Sequence, residues 1–235
     1  MRTDGRRLSV VVPVFNEEPT VGDIIHRLKK VLEETGFRYE VIVVDDCSSD
    51  DSLDVAQEQG VVVYQLKRHM GKGYALRAGF AKAKGDWVAT IDSDGSHLPE
   101  ELPLLLLPVA QGKADLVIGS RFLNNGEGTT RKINKAGNHL FNKLIRLLTA
   151  RHISDSQSGY RVMTRSVLES MLLGSGGYEI ESEMLVKSAR KPFRIAEVPI
   201  TYDQRTYGRS GIDPLRDGSK ILVSILWAYL RSPTK

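Results

Sequence analysis

The chain has 235 residues, a formal net charge of +4 at pH 7 and a single cysteine, Cys47. This length suits one domain with a substantial core, and a lone thiol excludes an intramolecular disulfide. We find no signal-peptide pattern and no apolar run near the ~20 residues of a membrane span, so we expect a reducing, cytoplasmic compartment. Nucleic acid is not an expected partner, because no basic stretch is interleaved with aromatic residues.

Apolar segments that end in polar tips recur along the first half of the chain. They lie at residues 8–17, 39–50, 60–66, 86–94 and 114–121. Helix-like stretches alternate with them at 20–35, 51–58, 72–83 and 99–110. Near-continuous Val and Ile runs are typical of strands buried on both faces of a parallel sheet. The alternation therefore predicts an α/β fold with a mostly parallel central sheet, whose ligands bind beyond the carboxyl ends of the strands.

Two carboxylates follow the fourth of these segments, in Asp92-Ser93-Asp94. At positions i and i+2 of an extended strand end, Asp92 and Asp94 project to the same side and can reach one cation. Mg²⁺ and Mn²⁺ prefer such oxygen ligands and often share them with substrate phosphates. The tripeptide thus predicts a divalent-metal site at the carboxyl edge of the sheet.

The motifs at the strand ends resemble those of a known enzyme family. In chain order they are residues 12–17 (VPVFNE), 44–48 (VDDCS), 71–73 (GKG), 92–96 (DSDGS) and 119–121 (GSR). Their order and spacing are similar to those of inverting family-2 glycosyltransferases. Residues 155–161 and 214–218 look like the branch that includes the dolichyl-phosphate mannose and glucose synthases.

This resemblance covers residues 8–220 and implies a GT-A fold, a Rossmann-like arrangement for nucleotide-diphospho-sugar transfer. It also implies a catalytic domain over residues 1–213. An amphipathic, interfacial helix over residues 214–235 would belong to the same single domain.

The resemblance implies a nucleotide-sugar donor, GDP-mannose or UDP-glucose, with mannose favoured. The residues expected to bind it are Pro13, Phe15, Glu17, Asp45, Asp46, Lys72, Asp92 and Arg209. Phe15 could equally be a core residue, and one acid of the Asp45-Asp46 pair could cap a helix. Asp92, Asp94 and Ser96 are the expected ligands of Mg²⁺ or Mn²⁺. The third ligand stays open, because relatives often carry Gln or His where Ser96 stands, and His97 follows it.

On the acceptor side, Arg121, Arg131 and Ser158 resemble residues that bind the phosphate of a polyprenyl or dolichyl phosphate. The planar fork of arginine suits phosphate, although Arg121 could instead form a surface ion pair. Arg205 and Arg209 lie in a segment that resembles a loop closing over the donor diphosphate. A glycan or protein hydroxyl acceptor would instead need a carboxylate base. A catalytically silent nucleotide-sugar-binding module is the other alternative.

Two segments predict peripheral contact with the cytoplasmic face of a membrane. In the helix predicted over 131–149, one face carries basic side chains, and Ile133, Leu140, Phe141, Leu144 and Leu148 form an apolar stripe beside it. The basic residues are Lys132, Lys135, His139, Lys143 and Arg146. Residues 221–230 are apolar almost all round and contain Trp227 and Tyr229. The alternatives are a core-packed helix with a solvated back and docking against a partner chain. A solvated helix start is expected for most of Glu179, Glu181 and Glu183, and the alternative is that one of them faces the site.

Overall fold

A computed structural model describes residues 5–123, 132–203 and 216–231 of the chain. The strands are β1 (Arg7–Val14), β2 (Arg38–Asp45), β3 (Val62–Gln65), β4 (Trp87–Thr90), β5 (Leu116–Ser120), β6 (Arg161–Thr164) and β7 (Ile195–Pro199). The helices are α1 (Glu18–Thr35), α2 (Ser52–Glu58), α3 (Lys72–Lys82), α4 (Leu102–Ala110), α5 (Lys132–Thr149), α6 (Arg165–Glu169), α7 (Ile180–Ala189) and α8 (Arg216–Arg231). A 3-10 turn over Pro99–Glu101 precedes α4.

One sheet contains these seven strands in the order β3-β2-β1-β4-β6-β5-β7. All neighbouring pairs are parallel except those made by β6, which runs antiparallel to both β4 and β5. The predicted α/β class with a mostly parallel sheet is confirmed. Because β6 is reversed, its first residues lie at the same edge as the carboxyl ends of β4 and β5.

The sheet separates two apolar layers. Along β1, Val10 and Val12 face the layer formed with α1 and α4, whereas Val11 faces the layer formed with α3, α5, α7 and α8. This alternation follows from the period of two along a strand. Burial on both faces explains why β1 is an almost unbroken run of Val and Leu rather than an apolar–polar pattern.

The predicted helices at 20–35, 51–58, 72–83 and 99–110 each match a helix within a few residues. α1 illustrates the cause: Val21, Ile25, Leu28 and Leu32 recur at helical spacing and are fully buried. The helix ends at Gly36, whose φ of 70° lies in the left-handed region that glycine adopts without strain.

The structure shows which faces of α5 and α8 are buried. In residues 221–230 of α8, which are apolar almost all round, Ile221, Ile225 and Ala228 are buried in the core, whereas Trp227 and Leu230 are exposed. In α5, Leu140 is 53 % exposed rather than part of the buried stripe, and Ile145 takes its place in the core. Within the ranges described above, no helix is long and apolar enough to cross a membrane.

Candidate functional site

The acidic tripeptide lies just beyond β4, which ends at Thr90, and not on the strand itself. The chain bends here, and two hydroxyl groups fix the bend. Ser93 Oγ donates to the carbonyl of Pro13 at the end of β1 (2.8 Å), and Thr20 Oγ1 of α1 donates to the carbonyl of Ser93 (2.7 Å). The carboxylates are therefore held by β1 and α1 as well as by their own strand.

Asp92 belongs to a buried ion-pair cluster with Lys72 and Glu181. Lys72 Nζ lies 2.6 Å from Asp92 Oδ1 and 2.8 Å from Glu181 Oε1. Gly159 makes room for the carboxylate, because a Cβ atom at this position would lie 2.6 Å from Asp92 Oδ2. Lys72 thus contacts two carboxylates at the place where the sequence predicts a nucleotide-sugar contact.

Electrostatics keep this cluster charged. Burial alone would raise the pKa of Asp92, but the positive charge of Lys72 holds it below the usual aspartate value. Burial alone would lower the pKa of Lys72, but Asp92 and Glu181 together raise it. Asp92 is therefore ionised and Lys72 protonated at neutral pH.

A solvated helix start was expected for most of Glu179, Glu181 and Glu183. That prediction is wrong for Glu181 and Glu183, whose side chains are buried in the first turn of α7. The alternative that one of the three faces the site fits Glu181. Among the described residues, Glu181 has its ion pair with Lys72 but no hydrogen bond of good geometry. Glu183 accepts from the backbone N–H groups of Gly174 and Ser175 and pairs with Lys187 at 2.6 Å. Apolar residues Ile180 and Met184–Val186 surround both acids, and this was the available signal that α7 is buried.

Asp94, Ser96 and His97 form the rest of the acidic loop. Ser96 donates to Asp94 Oδ1 from its backbone N–H (3.0 Å) and its hydroxyl (2.6 Å). His97 is 1 % exposed, and neither ring nitrogen has a hydrogen-bond partner in the described part of the chain. Its Nδ1 lies 3.8 Å from Asp92 Oδ2, and its ring packs beside those of Tyr160 and Tyr202. Burial lowers the pKa of His97 more than Asp92 and Asp94 raise it, so the imidazole is neutral at pH 7.

The acidic loop supplies donors that fit a hard divalent cation. Asp92 and Asp94 offer carboxylate oxygens, and the unpartnered nitrogens of His97 lie beside them. Within the described ranges, no set of three or more His, Cys, Asp or Glu residues is arranged to hold a metal ion. Asp92, Asp94 and Ser96 as the ligands of Mg²⁺ or Mn²⁺ therefore stay a prediction.

The paired aspartates after β2 are buried and bonded to their own chain. Asp45 accepts from the backbone N–H of Ser48 (3.1 Å) and from Gln65 Nε2 (3.2 Å). Asp46 accepts from the backbone N–H groups of Met70 and Gly71 and lies 2.9 Å from His69 Nδ1. Neither acid caps α2, in whose first turn the N–H of Ser52 is instead bonded by Asp50. Asp46 thus shapes the turn that leads into α3.

The expected nucleotide side also includes the end of β1. Phe15 is 38 % exposed and stacks on the ring of His69 with centroids 3.9 Å apart, so it is not a core residue. Pro13 is the penultimate residue of β1, and Glu17 is buried where α1 begins. These residues and Asp46 surround one edge of the sheet, which is where the sequence predicts the donor.

The glycines of Gly71-Lys72-Gly73 serve a contact within the chain. A Cβ atom at Gly71 would lie 2.6 Å from the carbonyl oxygen of Gly176, and one at Gly73 would lie 2.6 Å from that of Ser175. The loop before α7 therefore approaches the backbone of this turn closely. That packing is what positions Lys72 against Glu181.

On the acceptor side, Arg121 follows β5 and is engaged with a buried acid. Its Nε and Nη2 atoms donate to the two oxygens of Asp155 at 2.6 and 2.8 Å, and Tyr202 lies under the guanidinium with its centroid 5.0 Å from Cζ. The alternative of an ion pair for Arg121 is right, but the pair is buried rather than at the surface. Burial alone would lower the pKa of Arg121, but Asp155 raises it.

Other predicted acceptor residues are less accessible or outside the described ranges. Ser158 is fully buried, and its hydroxyl accepts from the backbone N–H of Tyr160. Arg131, Arg205 and Arg209 lie outside the described residues. Sequence reasoning missed Arg161, which is fully buried and donates to the carbonyls of Ser156, Ser158 and Glu181. This arginine joins the segment before β6 to α7 and so supports the position of Glu181.

The carboxyl edge of the sheet therefore carries an acidic loop after β4, a lysine at the start of α3 and an arginine after β5. This fold with this site defines a nucleotide-sugar transferase of the GT-A class. The sequence model for glycosyl transferase family 2 matches residues 9–172, and the chain belongs to this family.

Several named proteins are similar to the chain. It is 36 % identical over 215 residues to the low-salt glycan biosynthesis hexosyltransferase of Haloferax volcanii, with 90 % of this chain and 51 % of that protein covered. It is 32 % identical over 212 residues to the dolichol-phosphate mannosyltransferase of Pyrococcus furiosus, with 87 % and 58 % covered. The chain thus spans little more than half the length of these two relatives.

Among solved structures, the chain resembles glucosyl-3-phosphoglycerate synthase from Mycobacterium tuberculosis in complex with Mn²⁺, UDP and phosphoglyceric acid. The TM-score is 0.76 at 25 % sequence identity, and the match covers 97 % of this chain and 80 % of that one. The predicted GT-A fold and the predicted membership of glycosyl transferase family 2 are confirmed by these comparisons.

Proposed function

We propose that the chain transfers one hexose, with mannose favoured, from GDP-mannose or UDP-glucose to a polyprenyl or dolichyl phosphate. The supporting observation is the buried cation Arg121 at the end of β5, on the same edge as the acidic loop after β4. A phosphate acceptor is already ionised near neutral pH, so it needs cations rather than a base. The similarity to a dolichol-phosphate mannosyltransferase supports the same acceptor class.

The reaction would be an in-line displacement with inversion at the anomeric carbon. An oxygen of the lipid phosphate forms the new bond to this carbon, and the bond to the nucleoside diphosphate breaks. Mg²⁺ or Mn²⁺, held by Asp92, Asp94 and Ser96, would neutralise charge on the leaving diphosphate.

Each group of residues would serve one part of the substrates. The end of β1 and the turn after β2 hold the nucleotide through Pro13, Phe15, Glu17, Asp45 and Asp46. The ammonium of Lys72, with Arg205 and Arg209, places positive charge beside the diphosphate. The acceptor phosphate is positioned by Arg121, Arg131 and Ser158.

Glu181 favours a second candidate, transfer to a hydroxyl group. A hydroxyl acceptor needs a base in the transition state, and Glu181 is a buried carboxylate 2.8 Å from Lys72 Nζ. The structural similarity to an enzyme solved with phosphoglyceric acid points in the same direction. Both candidates use the same donor site and differ in what the acceptor requires.

A panel of nucleotide sugars, assayed with and without polyprenyl phosphate and Mg²⁺, tests these candidates. We expect donor consumption only with the lipid phosphate, a loss of roughly a hundredfold or more in Asp94→Ala, and near-normal turnover in the exposed control Asp54→Ala. Turnover with hydroxyl acceptors that is abolished by Glu181→Gln would establish the second candidate instead. Donor binding without consumption under any condition would identify a silent binding module, and full activity of Asp94→Ala would refute the metal assignment.

We also place the membrane-facing surface of the protein on α8. Val223, Leu226, Trp227 and Leu230 form its outer face and are 45–78 % exposed, on the side opposite the buried stripe. Apolar side chains with a tryptophan on an amphipathic helix suit a membrane interface. Lys143 and Arg146 on the neighbouring α5 are exposed and add positive charge. Peripheral contact of this kind on the cytoplasmic face would bring a lipid acceptor within reach.

A further inference from the structure

A cavity of about 600 Å³ lies between α5 and the segment that follows it, outside the site described above. His139, Lys143, Arg146 and His152 supply the basic part of its lining, and Asn138 and Asn142 supply amides. We call this the basic cavity. Its volume is within the range of small-ligand sites, and no acidic residue contributes to its described lining.

The two cations at the rim of the basic cavity, Lys143 and Arg146, are exposed and form no ion pair with a carboxylate of the described chain. The wall residue Ser154, however, donates to the carboxylate of Glu197. Like charges around a concave surface raise the local positive potential and attract anions. Phosphate oxygens accept charge-assisted hydrogen bonds from ammonium and guanidinium groups, and arginine can donate two at once.

The wall of the cavity is built from a rigid hydrogen-bond network. The side-chain amides of Asn138 and Asn142 both donate to the carbonyl oxygen of Ser154, at 3.2 and 2.6 Å. Their oxygens accept from the hydroxyl and the backbone N–H of Ser156. These four bonds fix α5 against residues 154–156, so the wall of the cavity does not need to be ordered when a ligand binds.

The basic cavity adjoins the Arg121–Asp155 pair but is distinct from it. Phe122, which follows Arg121, and Ser154, which precedes Asp155, both line the cavity. The ring of Phe122 lies 5.6 Å from the Arg121 guanidinium carbon. Arg121 itself is bonded to Asp155 and is not part of the cavity lining.

We infer that the basic cavity binds the phosphate group of an anionic molecule, at a site separate from the one that transfers the sugar. A soluble phosphate compound and the phosphodiester headgroup of an anionic lipid present the same chemistry to Lys143 and Arg146. The inference rests on the charge, shape and hydrogen bonding of the cavity and does not require the proposed reaction.

The test uses the full chain and a matched pair of variants. Lys143→Gln/Arg146→Gln removes the two rim charges, and Lys30→Gln/Lys113→Gln removes two exposed charges elsewhere. Inorganic phosphate is titrated while the side-chain amide signals of Asn138 and Asn142 are followed by NMR. Cosedimentation with phosphatidylcholine vesicles, with and without phosphatidylglycerol, forms the second arm. Lys143→Gln alone is measured as well, in case the double variant unfolds.

We expect the rim variant to weaken binding about tenfold while the control pair binds as the unchanged chain does. If the loss is seen with inorganic phosphate, soluble phosphate is sufficient. If it is seen only with phosphatidylglycerol vesicles, the lipid headgroup is the source. Equal binding by the rim variant and the unchanged chain in both arms would overturn the inference, and so would an equal loss in the control pair.

Discussion

At the scale of single residues, Lys72 places one ammonium group between the buried carboxylate of Glu181 and the partly exposed carboxylate of Asp92. Asp92 comes from the loop after β4 and Glu181 from α7, so the lysine joins opposite sides of the site. The lysine is held there because Gly71 and Gly73 allow the loop before α7 to pack directly on the start of α3. The position of the Lys72 charge between the two carboxylates therefore depends on a backbone contact between residues that are far apart in the sequence.

Lys72→Met should destabilise the fold by about 3 kcal/mol, because it leaves two carboxylates in the cluster without their cation. This value is at the low end of the usual stability cost of removing one partner of a buried ion pair, since Asp92 keeps 23 % of its side-chain surface exposed. Urea unfolding at pH 7 measures the loss, with the exposed Lys113→Met as control. Adding Glu181→Gln to the variant should restore part of the stability. Unfolding curves identical to those of the unchanged chain would show that the ion pairs contribute nothing to stability.

Glu183 gives the fold a dependence on acidic pH. Burial alone would raise its pKa, but Lys187 and the N–H groups of Ser175 and Gly174 lower it below the usual value of 4.5. A carboxyl whose pKa is lower in the folded state stabilises fully above its unfolded pKa and loses this contribution as the pH falls through the folded pKa.

Glu183→Gln should therefore lower the unfolding temperature near pH 7, and the difference from the unchanged chain should shrink as the pH falls below 4.5. Thermal unfolding between pH 3 and pH 7 is the measurement. Glu169→Gln, at a carboxylate that is 68 % exposed, should show a much smaller difference over the whole range. A difference for Glu183→Gln that is the same at every pH would mean that shape rather than charge is responsible.

At the scale of elements, the close packing of α3 on the sheet depends on Gly79. A Cβ atom at this position would collide with Val11 Cγ1 of β1 and lie 3.3 Å from Val44 Cγ2 of β2. Gly218, in the first turn of α8, has no atom within 4 Å of the same added group. Alanine substitutions at these two helical glycines therefore distinguish the effect of packing on stability from the effect of helix propensity.

Gly79→Ala should cost about 1–3 kcal/mol of stability through overpacking, whereas Gly218→Ala should gain up to about 1 kcal/mol through propensity. Chemical denaturation of both variants checks the signs. Stabilisation by Gly79→Ala would show that α3 can move away from β1 without loss.

The sequence predicted the strands and helices whose buried faces leave a clear apolar pattern in their own residues. β1 and β2 are apolar runs because both their faces are covered, and α1 shows a clear apolar stripe. β6 could not be predicted in this way, because it has only four residues and starts with an arginine. Its place between β4 and β5 is decided by long-range pairing, which a local pattern does not contain.

The same limit applies within the site. The acidic loop and Arg121 were identified because they follow strands that could be located. The burial of Glu181 could not be predicted, because it depends on contacts with Lys72 of α3 and Arg161 of β6. The ion pair between Lys72 and Glu181 could not be predicted for the same reason, since it joins residues more than one hundred positions apart.

At the scale of the whole molecule, the exposed apolar face of α8 predicts binding to vesicles that persists at high salt. Trp227→Ala/Leu230→Ala should weaken cosedimentation with phosphatidylglycerol-containing vesicles about tenfold, because apolar burial is not screened by ions. Leu104→Ala/Leu107→Ala is the matched control, since these exposed leucines lie on α4 on the other side of the sheet. An equal loss in both variants would mean that the bilayer does not select the α8 face.

The reversed strand β6 also sets the width of the site. It lies between β4, which leads to the acidic loop, and β5, which leads to Arg121. Adjacent strands are about 4.8 Å apart, so these two strand ends are separated by roughly 10 Å. In the proposed reaction, this gap is the room for the sugar between the leaving diphosphate and the incoming phosphate. Backbone hydrogen bonds from β6 to β4 and to β5 fix the width of this gap. Side-chain changes in such a site can alter which sugar is accepted, whereas the number of sugar rings that fit is set by the order of the strands.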